Sequence, residues 1–501
     1  MKPHDPIARE TSPGRDSAVP LLSRRAWLQS TASGFGYLAF AALAHEQALR
    51  HAAAAAAENP LAPKPPHFPP KAKRVIFLCM DGGPSHVDTF DYKPRLKTDD
   101  GKAPPRSGGG GFRFGRLMAS PFQFRQYGQS GLWISELFPQ LARHADKLCL
   151  LHGMQTDLPN HPQAFLQMHC GIFQFPRPSM GAWILYGLGT ENQNLPGFIT
   201  INPPLGNGGP ANYGAAFLPA MYQGTRIGRG FGGFAGPGGP PAVANLQNPR
   251  QSLAAQRVQL DYLQRLNRQA LEQSGGHSEI EGLIASYELA FRMQGELPKL
   301  LDISNESAST LRLYGVDSRG SAAPPPGAGG NPGPARAAFA QQCLLARRFA
   351  EAGVRFIEVT LGGWDHHRNL KEALAASCAA IDQPIAALLQ DLEQRGLLRD
   401  TLVLWGGEFG RTPTAQGDGR DHNARGFTMW MAGGGVKGGF AYGRTDDHGF
   451  EAVEGKVHIH DWHATILYLL GLDHEKLTYR HAGRDMRLTD VKGHVVKEII
   501  A

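Results

Sequence analysis

Three short apolar segments, each followed by an acidic residue in a glycine-rich turn, constrain the fold of this chain more than any other feature. The segments are Arg74–Met80, Val354–Leu361 and Thr401–Trp405. Continuous apolar runs of this length are typical of parallel strands that helices cover on both faces. Apolar residues at the spacing of a helix precede the second and third segments, over Ala337–Ala352 and Leu370–Leu398. This alternation predicts an α/β fold with a doubly wound, mostly parallel sheet and helices on both faces.

Long loops rich in glycine and proline separate these elements. The 501 residues include 62 glycines and 37 prolines, which cluster without a fixed period. Residues 101–113, Pro203–Gly239 and Ala322–Pro334 have the composition of loops. The segment Gln251–Leu301 has helical spacing and predicts two helices broken at Gly275-Gly276.

The first 57 residues have the composition of an export signal. Paired arginines, Arg24 and Arg25, precede an acid-free apolar run, Gly34–Ala44, and an alanine tract, Ala52–Ala57. This order is typical of twin-arginine signals, and a proline-rich spacer follows over residues 58–73. The alternative is an N-terminal amphipathic helix or anchor, but a membrane span needs ~20 apolar residues. We therefore expect export to the periplasm or cell surface, and no transmembrane segment.

Charge and cysteine content exclude other classes of protein. The net charge is +7 and the pI is near 9.1, which suits anionic substrates. The basic cluster Lys71–Arg74 is short and no aromatic RNA-binding motif accompanies it, so we expect no nucleic-acid partner. The five cysteines are widely spaced and are predicted to be small core residues, with one disulfide left open.

Residues with metal-binding chemistry stand in the turns that follow the three strands. They are Asp81 in the first turn, Asp365, His366 and His367 in the second, and Glu408 in the third, with His422 shortly after. Because ligands bind beyond the carboxyl ends of strands in an open α/β sheet, one site at this edge is expected. Carboxylates together with imidazoles suit zinc, manganese or a similar divalent ion. The alternative is that each acid caps the helix after it.

Five strings in these turns carry a resemblance to a known family. They are MDGGPSHVDTFD, GGWDHH, WGGEFGRTP, GRDHN and GRDMRLTDVKG. They resemble the exported, sulfatase-like family of uncharacterised bacterial proteins, which belongs to the alkaline-phosphatase superfamily. The resemblance runs from about Val75 to the C-terminus. It implies an alkaline-phosphatase-like domain over residues 74–501 that binds one or two divalent ions (zinc, manganese or calcium).

The resemblance also implies roles for individual residues. Asp81, Glu408 and His422 match metal ligands, and Asp365 pairs with either His367 or His366. How these ligands divide between two metal sites is left open.

At the position of the nucleophile, this chain departs from the pattern of the superfamily. Where its hydrolases carry serine, threonine or a modified cysteine, this chain has His161, preceded by Asn160. His161 could ligate metal, act as a base or form a covalent intermediate, or it could be structural. Asn160 could bind an anion. A metal-activated water would need no side-chain nucleophile.

Two further features have open alternatives. Arg411 could pair with a sulfate or phosphate oxygen, or hold Glu408 or Asp421 in place. In His458–His463, Asp461 is predicted to cap a helix around which the histidines pack, in preference to a metal cluster.

Two functions are consistent with this pattern. The first is a metal-dependent hydrolase of sulfate or phosphate esters, acting on small molecules or polysaccharides. The second is a metal-binding scaffold without catalysis, which binds a polysaccharide or a surface. The many acidic residues and histidines in the three turns favour the hydrolase. The absence of a hydroxyl or thiol at the nucleophile position favours the scaffold.

Overall fold

The computed structural model describes residues 59–105, 115–228, 243, 246, 248, 250–273, 278–316 and 333–501. The chain divides into two units, 1–58 and 59–501, and the described residues all belong to the second. The predicted export signal lies outside the described residues, as do residues 106–113, 229–239 and 322–332 of the predicted loops.

The strands of the described residues are, in chain order, β1 (Arg74–Asp81), β2 (Phe124–Tyr127), β3 (Leu132–Ser135), β4 (Leu148–Gln155), β5 (Phe198–Ile201), β6 (Thr225–Ile227), β7 (Phe356–Gly362), β8 (Thr401–Gly406), β9 (Gly410–Gln416), β10 (Gly419–Asn423), β11 (Phe427–Gly433), β12 (Phe440–Tyr442), β13 (Arg444–Thr445), β14 (Ala452–Glu454), β15 (Val457–His458), β16 (Tyr479–His481) and β17 (Arg484–Met486).

The α-helices are α1 (His86–Thr89), α2 (Pro94–Thr98), α3 (His161–Cys170), α4 (Met180–Leu188), α5 (Leu253–Gln273), α6 (Ser278–Leu301), α7 (Ala308–Tyr314), α8 (Gly333–Glu351), α9 (Leu370–Gln394) and α10 (Ile459–Leu469). Short 3-10 helices lie at Leu141–Lys147, Gly209–Tyr213, Ala220–Tyr222, Leu398–Asp400 and Lys497–Ile499.

A mostly parallel sheet forms the centre of the described structure. Its strand order is β12-β4-β11-β8-β1-β7-β5-β6, with β15 pairing additionally with β4. Every pair in it is parallel except those of β11, which runs antiparallel to β8 and β4. The three strands that the sequence predicts are neighbours, because β1 pairs in parallel with β8 on one side and β7 on the other. Their carboxyl ends therefore meet at one edge of the sheet.

Helices cover both faces of this sheet, as the continuous apolar strands predict. Along β1, Leu78 and its even-numbered neighbours belong to a core shared with α8 and α9. Phe77 and its odd-numbered neighbours belong to a second core shared with α3, α4 and α10. Alternate residues of a strand point to opposite faces, and each face of β1 is closed over by a helical layer. The predicted α/β class with a doubly covered, mostly parallel sheet is confirmed.

Helix α9 corrects one expectation. By length and composition it could cross a membrane, and 61% of its most apolar window is buried inside the structure. The expectation that no segment has that length and apolarity is therefore wrong. Leu374, Cys378 and Ile381 of α9 are fully buried and belong to the core that packs on the sheet.

Two smaller predictions are confirmed. Helices α5 and α6 form the predicted broken pair, and Arg257 of α5 forms 2.9 Å hydrogen bonds to both carboxylate oxygens of Glu288 of α6. All five cysteines are free and buried. Trp364 and Trp405, at the ends of β7 and β8, are also core residues.

Candidate metal centre

The turns after β1, β7 and β8 lie against one another at the carboxyl edge of the sheet. Asp81 ends β1, and Asp365 and Glu408 follow shortly after β7 and β8. Gly82 has a φ of +121°, and a Cβ there would lie 2.6 Å from the backbone nitrogen of Asp365. Only glycine allows this conformation and this approach, so the first turn can pack directly on the second.

Three histidine side chains converge on one carboxylate oxygen at this edge. The Nε2 atoms of His161, His367 and His422 lie 3.2, 3.0 and 3.2 Å from Oδ1 of Asp365. The Nε2 atoms of His367 and His422 are 2.9 Å apart. One ligand atom from each of the four residues lies within 4.8 Å of all the others.

The three histidines share an orientation that exposes Nε2 to this point. In each, the other ring nitrogen, Nδ1, contacts an oxygen acceptor. The contacts are His161 to Oε1 of Glu408 (2.5 Å), His422 to the carbonyl of Pro159 (2.9 Å) and His367 to the side-chain oxygen of Gln416. Because these oxygens accept a hydrogen bond from Nδ1–H, the neutral ring presents its Nε2 lone pair to Asp365. Metal-binding histidines are typically oriented in this way.

This donor set fits a divalent ion. Three imidazole nitrogens and a carboxylate oxygen are the ligands that zinc prefers, whereas calcium prefers oxygen ligands alone. The Nε2 of His161 is buried and has no hydrogen-bond partner among the described residues, so its lone pair is free to bind an ion. The carboxylate of Asp365 is 47% exposed, so the site is open on one side.

Arg411 is buried behind this group and positions Asp365. Its guanidinium is inaccessible to solvent, and Nη2 lies 2.6 Å from Oδ1 of Asp365. The same guanidinium donates to the carbonyl oxygens of Gly83 (2.8 Å), Gly82 and Arg420 (3.2 Å). Among the described residues, the carboxylate that forms an ion pair with Arg411 is that of Asp365, and not that of Glu408 or Asp421. The pairing of Arg411 with a sulfate or phosphate oxygen stays a prediction.

This placement predicts the effect of Arg411→Lys. A lysine keeps the charge but cannot bond Asp365 and several carbonyls at once, because its ammonium has no planar fork. We expect about 10- to 100-fold weaker metal binding, as for other residues that orient a ligand. Metal titration of the variant tests this expectation. An unchanged metal affinity with a weakened affinity for substrate would instead assign Arg411 to the anion.

Asp81 and Glu408 lie beside the four-residue group. Glu408 is fully buried, and its Oε1 accepts from His161 and from the backbone nitrogen of Gly82 (3.1 Å). Oδ1 of Asp81 accepts from Nδ2 of Asn207 at 2.7 Å. Burial and the negative charge of Glu408 raise the pKa of Asp81. Glu408 is thus close enough to disfavour the charge of Asp81, and a cation between the two carboxylates would relieve this effect.

The surroundings of the four-residue group lower the pKa of two of its members, Asp365 and His422, and raise the pKa of a third, His161. Burial opposes ionisation of Asp365, but the hydrogen bond and charge of Arg411 outweigh it and hold the pKa well below its usual range. Burial and the charge of Arg411 lower the pKa of His422. Burial also acts to lower the pKa of His161, but the bond to Glu408 outweighs it and raises that pKa.

The structure places two predicted site residues apart from the group. His366 is buried and its Nε2 lies 3.3 Å from Oγ of Ser377 on α9. Burial and the charge of Arg411 lower its pKa to about 4. Of the two neighbouring histidines, it is His367 that belongs to the group around Asp365. Asn160 is exposed at the N-terminus of α3, where its side chain makes no capping hydrogen bond.

The histidine-rich segment His458–His463 forms the start of α10, with His458 as the N-cap and the predicted cap Asp461 at the third helical position of a capping box. Oδ2 of Asp461 accepts from the backbone nitrogen of His458 at 2.9 Å, and the His458 side chain accepts from the first turn. His460 and His463 are buried and contact the carbonyls of Gly171 and Met168.

Several residues at the site carry no sequence signal of their own. Asn207 comes from the Gly/Pro-rich excursion after β5, and Pro159 offers only a backbone carbonyl. Gln416 ends β9 and has the side chain of an ordinary surface residue. A loop has no periodic sequence pattern, so the contact that Asn207 makes with the site could not be inferred from the sequence.

Two motif residues form a buried ion pair beneath β10. Arg420 donates to both carboxylate oxygens of Asp88, at 2.7 and 3.0 Å, and both side chains are inaccessible to solvent. Ser85 donates to the same carboxylate at 2.5 Å. This pair fastens the start of β10, which carries His422, to the turn after β1.

The family described as "protein of unknown function (DUF1501)" matches residues 72–500. The chain belongs to the DUF1501 family. The predicted membership of a family of uncharacterised proteins is thereby confirmed. No curated protein matches this DUF1501 sequence.

Several solved structures are similar to this DUF1501 chain at low identity. The PsFucS1 sulfatase from Pseudoalteromonas sp. is 12% identical with a TM-score of 0.35, over 81% of this chain and 68% of that one. The lipoteichoic acid synthase LtaP from Listeria monocytogenes is 8% identical with a TM-score of 0.33, over 85% and 78%. A magnesium-bound mutant of TAB5 alkaline phosphatase is 10% identical with a TM-score of 0.33, over 80% and 99%. The likeness is distant, and nothing about substrate follows from it.

Proposed function

We propose that this DUF1501 protein is a metal-dependent hydrolase of anionic esters, either sulfate or phosphate. The observation that supports it is the convergence of the Nε2 atoms of His161, His367 and His422 on Oδ1 of Asp365. Three histidines oriented through Nδ1 around one carboxylate need a cation to satisfy their lone pairs. The open side of the group leaves room for a substrate.

Six residues would hold the ions. Asp365, His161, His367 and His422 form the first set of ligands. Asp81 and Glu408, which interact through their charges, are the candidates for a second ion. The imidazole-rich first set favours zinc over manganese or calcium. A divalent ion held there would polarise the ester oxygen and lower the pKa of a bound water.

Water is the proposed nucleophile. His161 is the first residue of α3, where the superfamily places its hydroxyl or thiol. Its Nδ1 contacts Glu408, and its Nε2 faces Oδ1 of Asp365 among the other ligand atoms, so it serves better as a ligand than as an attacking group. Arg411 keeps Asp365 ionised and in place.

An anionic ester group would approach over the N-terminus of α3. Asn160 is exposed there, and its side chain leaves the first backbone N–H groups of the helix uncapped. Helix N-termini favour anions through these N–H groups and the helix dipole. Asn160 is thus proposed to contact the sulfate or phosphate oxygens.

A second candidate function is a metal-binding scaffold that binds a polysaccharide or a surface without hydrolysis. The absence of serine, threonine or cysteine at the first position of α3 favours it. Under either function, we propose export by the twin-arginine route to the periplasm or cell surface, because of the paired Arg24 and Arg25.

Chelation and reloading of the purified protein separates these functions. Metal content is measured by elemental analysis before and after chelation, and turnover of aryl sulfate and aryl phosphate esters is followed on the same samples. The hydrolase predicts turnover that chelation abolishes and zinc restores. Bound metal without turnover of either ester would support the scaffold. Failure to bind zinc, manganese or calcium after reloading would contradict both.

A further inference from the structure

A second group of ligand-type side chains lies inside the core, one step deeper along β1 than Asp81. Cys79, His169 and Glu358 come from β1, α3 and β7, and all three are buried. One ligand atom from each lies within 4.8 Å of the other two. Because Cys79 and Asp81 are two residues apart on one strand, this group lies about 7 Å below the first turn.

The orientation of His169 points its free nitrogen into this group. Nδ1 of His169 contacts the carbonyl oxygen of Phe165 at 2.8 Å. A carbonyl can only accept, so Nδ1 carries a proton, and in the neutral ring the lone pair of Nε2 would face Glu358. That Nε2 is 3.3 Å from Oε2 of Glu358. His161, His367 and His422 at the sheet edge have the same orientation, with Nδ1 on an oxygen acceptor and Nε2 facing a carboxylate.

Glu358 is oriented in the same manner. Its Oε1 accepts a hydrogen bond from Oγ1 of Thr360 at 3.1 Å, which leaves Oε2 directed at the group. Within the described residues, neither Oε2 of Glu358 nor Nε2 of His169 has a hydrogen bond of acceptable geometry. Two buried acceptors that face each other without a proton or a cation between them are strongly unfavourable.

We propose that Cys79, His169 and Glu358 form a buried structural site for a thiophilic divalent ion of the zinc type. Thiolate, imidazole and carboxylate are the three side-chain ligands of zinc, and ligand atoms of a tetrahedral site lie roughly 3.3–3.7 Å apart. With a thiolate and a carboxylate as ligands, a divalent ion leaves no net charge in the core. Binding releases protons to solvent, among them that of the Cys79 thiol.

A fourth ligand is available from the neighbouring strand. Thr200 of β5 is the register partner of Glu358, so both side chains lie on the same face of the sheet. Its hydroxyl oxygen is buried and has no hydrogen-bond partner among the described residues. We assign the fourth position to this hydroxyl or to a water molecule.

The site would fix the helix that carries His161. His161 and His169 stand eight residues apart on α3, which places them on one face of the helix. An ion held by His169 and by two strands would therefore tie α3 to the sheet below the candidate metal centre. This role is structural and does not depend on ester hydrolysis.

Cobalt substitution of the full chain tests the proposal. Because the site is closed, the metal is supplied during expression, so that it is bound as the chain folds. A cobalt–thiolate site gives a charge-transfer absorption in the near ultraviolet, whereas the candidate metal centre offers only nitrogen and oxygen ligands. We expect this absorption in the wild type, its loss in Cys79→Ser, and one metal ion fewer per chain by elemental analysis.

The other buried cysteines serve as matched controls. Single variants to serine at the remaining four positions should keep the absorption. These variants assign the thiolate by elimination even where Cys79→Ser fails to fold. A cobalt-loaded wild type without the absorption, or one that loses it in Cys149→Ser or another control, would overturn the proposal. Turnover and metal at the sheet edge are read separately, so failure here leaves the proposed hydrolysis intact.

Discussion

Replacing Asp365 by asparagine should remove the metal and nearly all ester turnover. Oδ1 of Asp365 is the one atom that all three site histidines and Arg411 contact. Asparagine has almost the same shape, but it loses the negative charge. Loss of a residue that only orients a ligand typically weakens metal binding 10- to 100-fold, so loss of the shared ligand should exceed about 100-fold. Zinc titration and elemental analysis measure the effect.

The matched control is Asp447→Asn. Asp447 is 60% exposed, pairs with the exposed Arg95 at 3.1 Å and is not a member of the group of ligand-type residues. The same chemical change there should leave metal content and turnover unaltered. The denaturation midpoint of Asp447→Asn should stay near that of the wild type, whereas Asp365→Asn leaves the buried Arg411 without its carboxylate partner and should lower it. Metal content is therefore compared at a temperature at which both variants are folded. Full metal content in Asp365→Asn would refute the ligand assignment.

Removing the carboxylate of Asp88 should lower the free energy of unfolding by about 3–5 kcal/mol. Asp88 and Arg420 are both inaccessible to solvent and are joined by two hydrogen bonds. In Asp88→Ala the guanidinium remains buried without its counter-charge, which is the costly part of breaking such a pair. Urea denaturation measures the loss.

The effect should extend to the metal centre. The carbonyl of Arg420 accepts from Arg411, which positions Asp365, and β10 also carries His422. We therefore expect Asp88→Ala to lose metal more readily on chelation. Asp447→Ala, which removes a carboxylate from an exposed pair, should change stability little. The double variant Asp88→Leu/Arg420→Met should recover much of the lost stability, because it buries no unpaired charge. Equal stability of Asp88→Ala and the wild type would contradict a contribution from the pair.

Local pattern was sufficient to predict the three central strands and the two helices between them. An unbroken apolar run needs burial on both faces, and only a parallel sheet with helices on each side supplies it. The strands β4, β5 and β11 escaped prediction. β11 runs antiparallel to its neighbours, and its place between β8 and β4 depends on pairing across the chain.

The choice between His366 and His367 required the folded turn. Both are histidines next to Asp365, and the chain sequence assigns neither to the metal. The structure packs His366 against Ser377 of α9 and leaves His367 at the open edge. For Arg411 likewise, only the structure shows that its carboxylate partner is Asp365.

The sequence by itself therefore determined the α/β class, the order of the central elements and the edge at which acids and histidines collect. These follow from short-range patterns of polarity and from the turns that glycine permits. Only the tertiary structure decided which nitrogen faces the centre, that Glu408 lies behind His161, and that Cys79 meets His169 and Glu358 in the core. Those contacts join residues up to 279 positions apart, and their geometry depends on the packing of whole strands and helices.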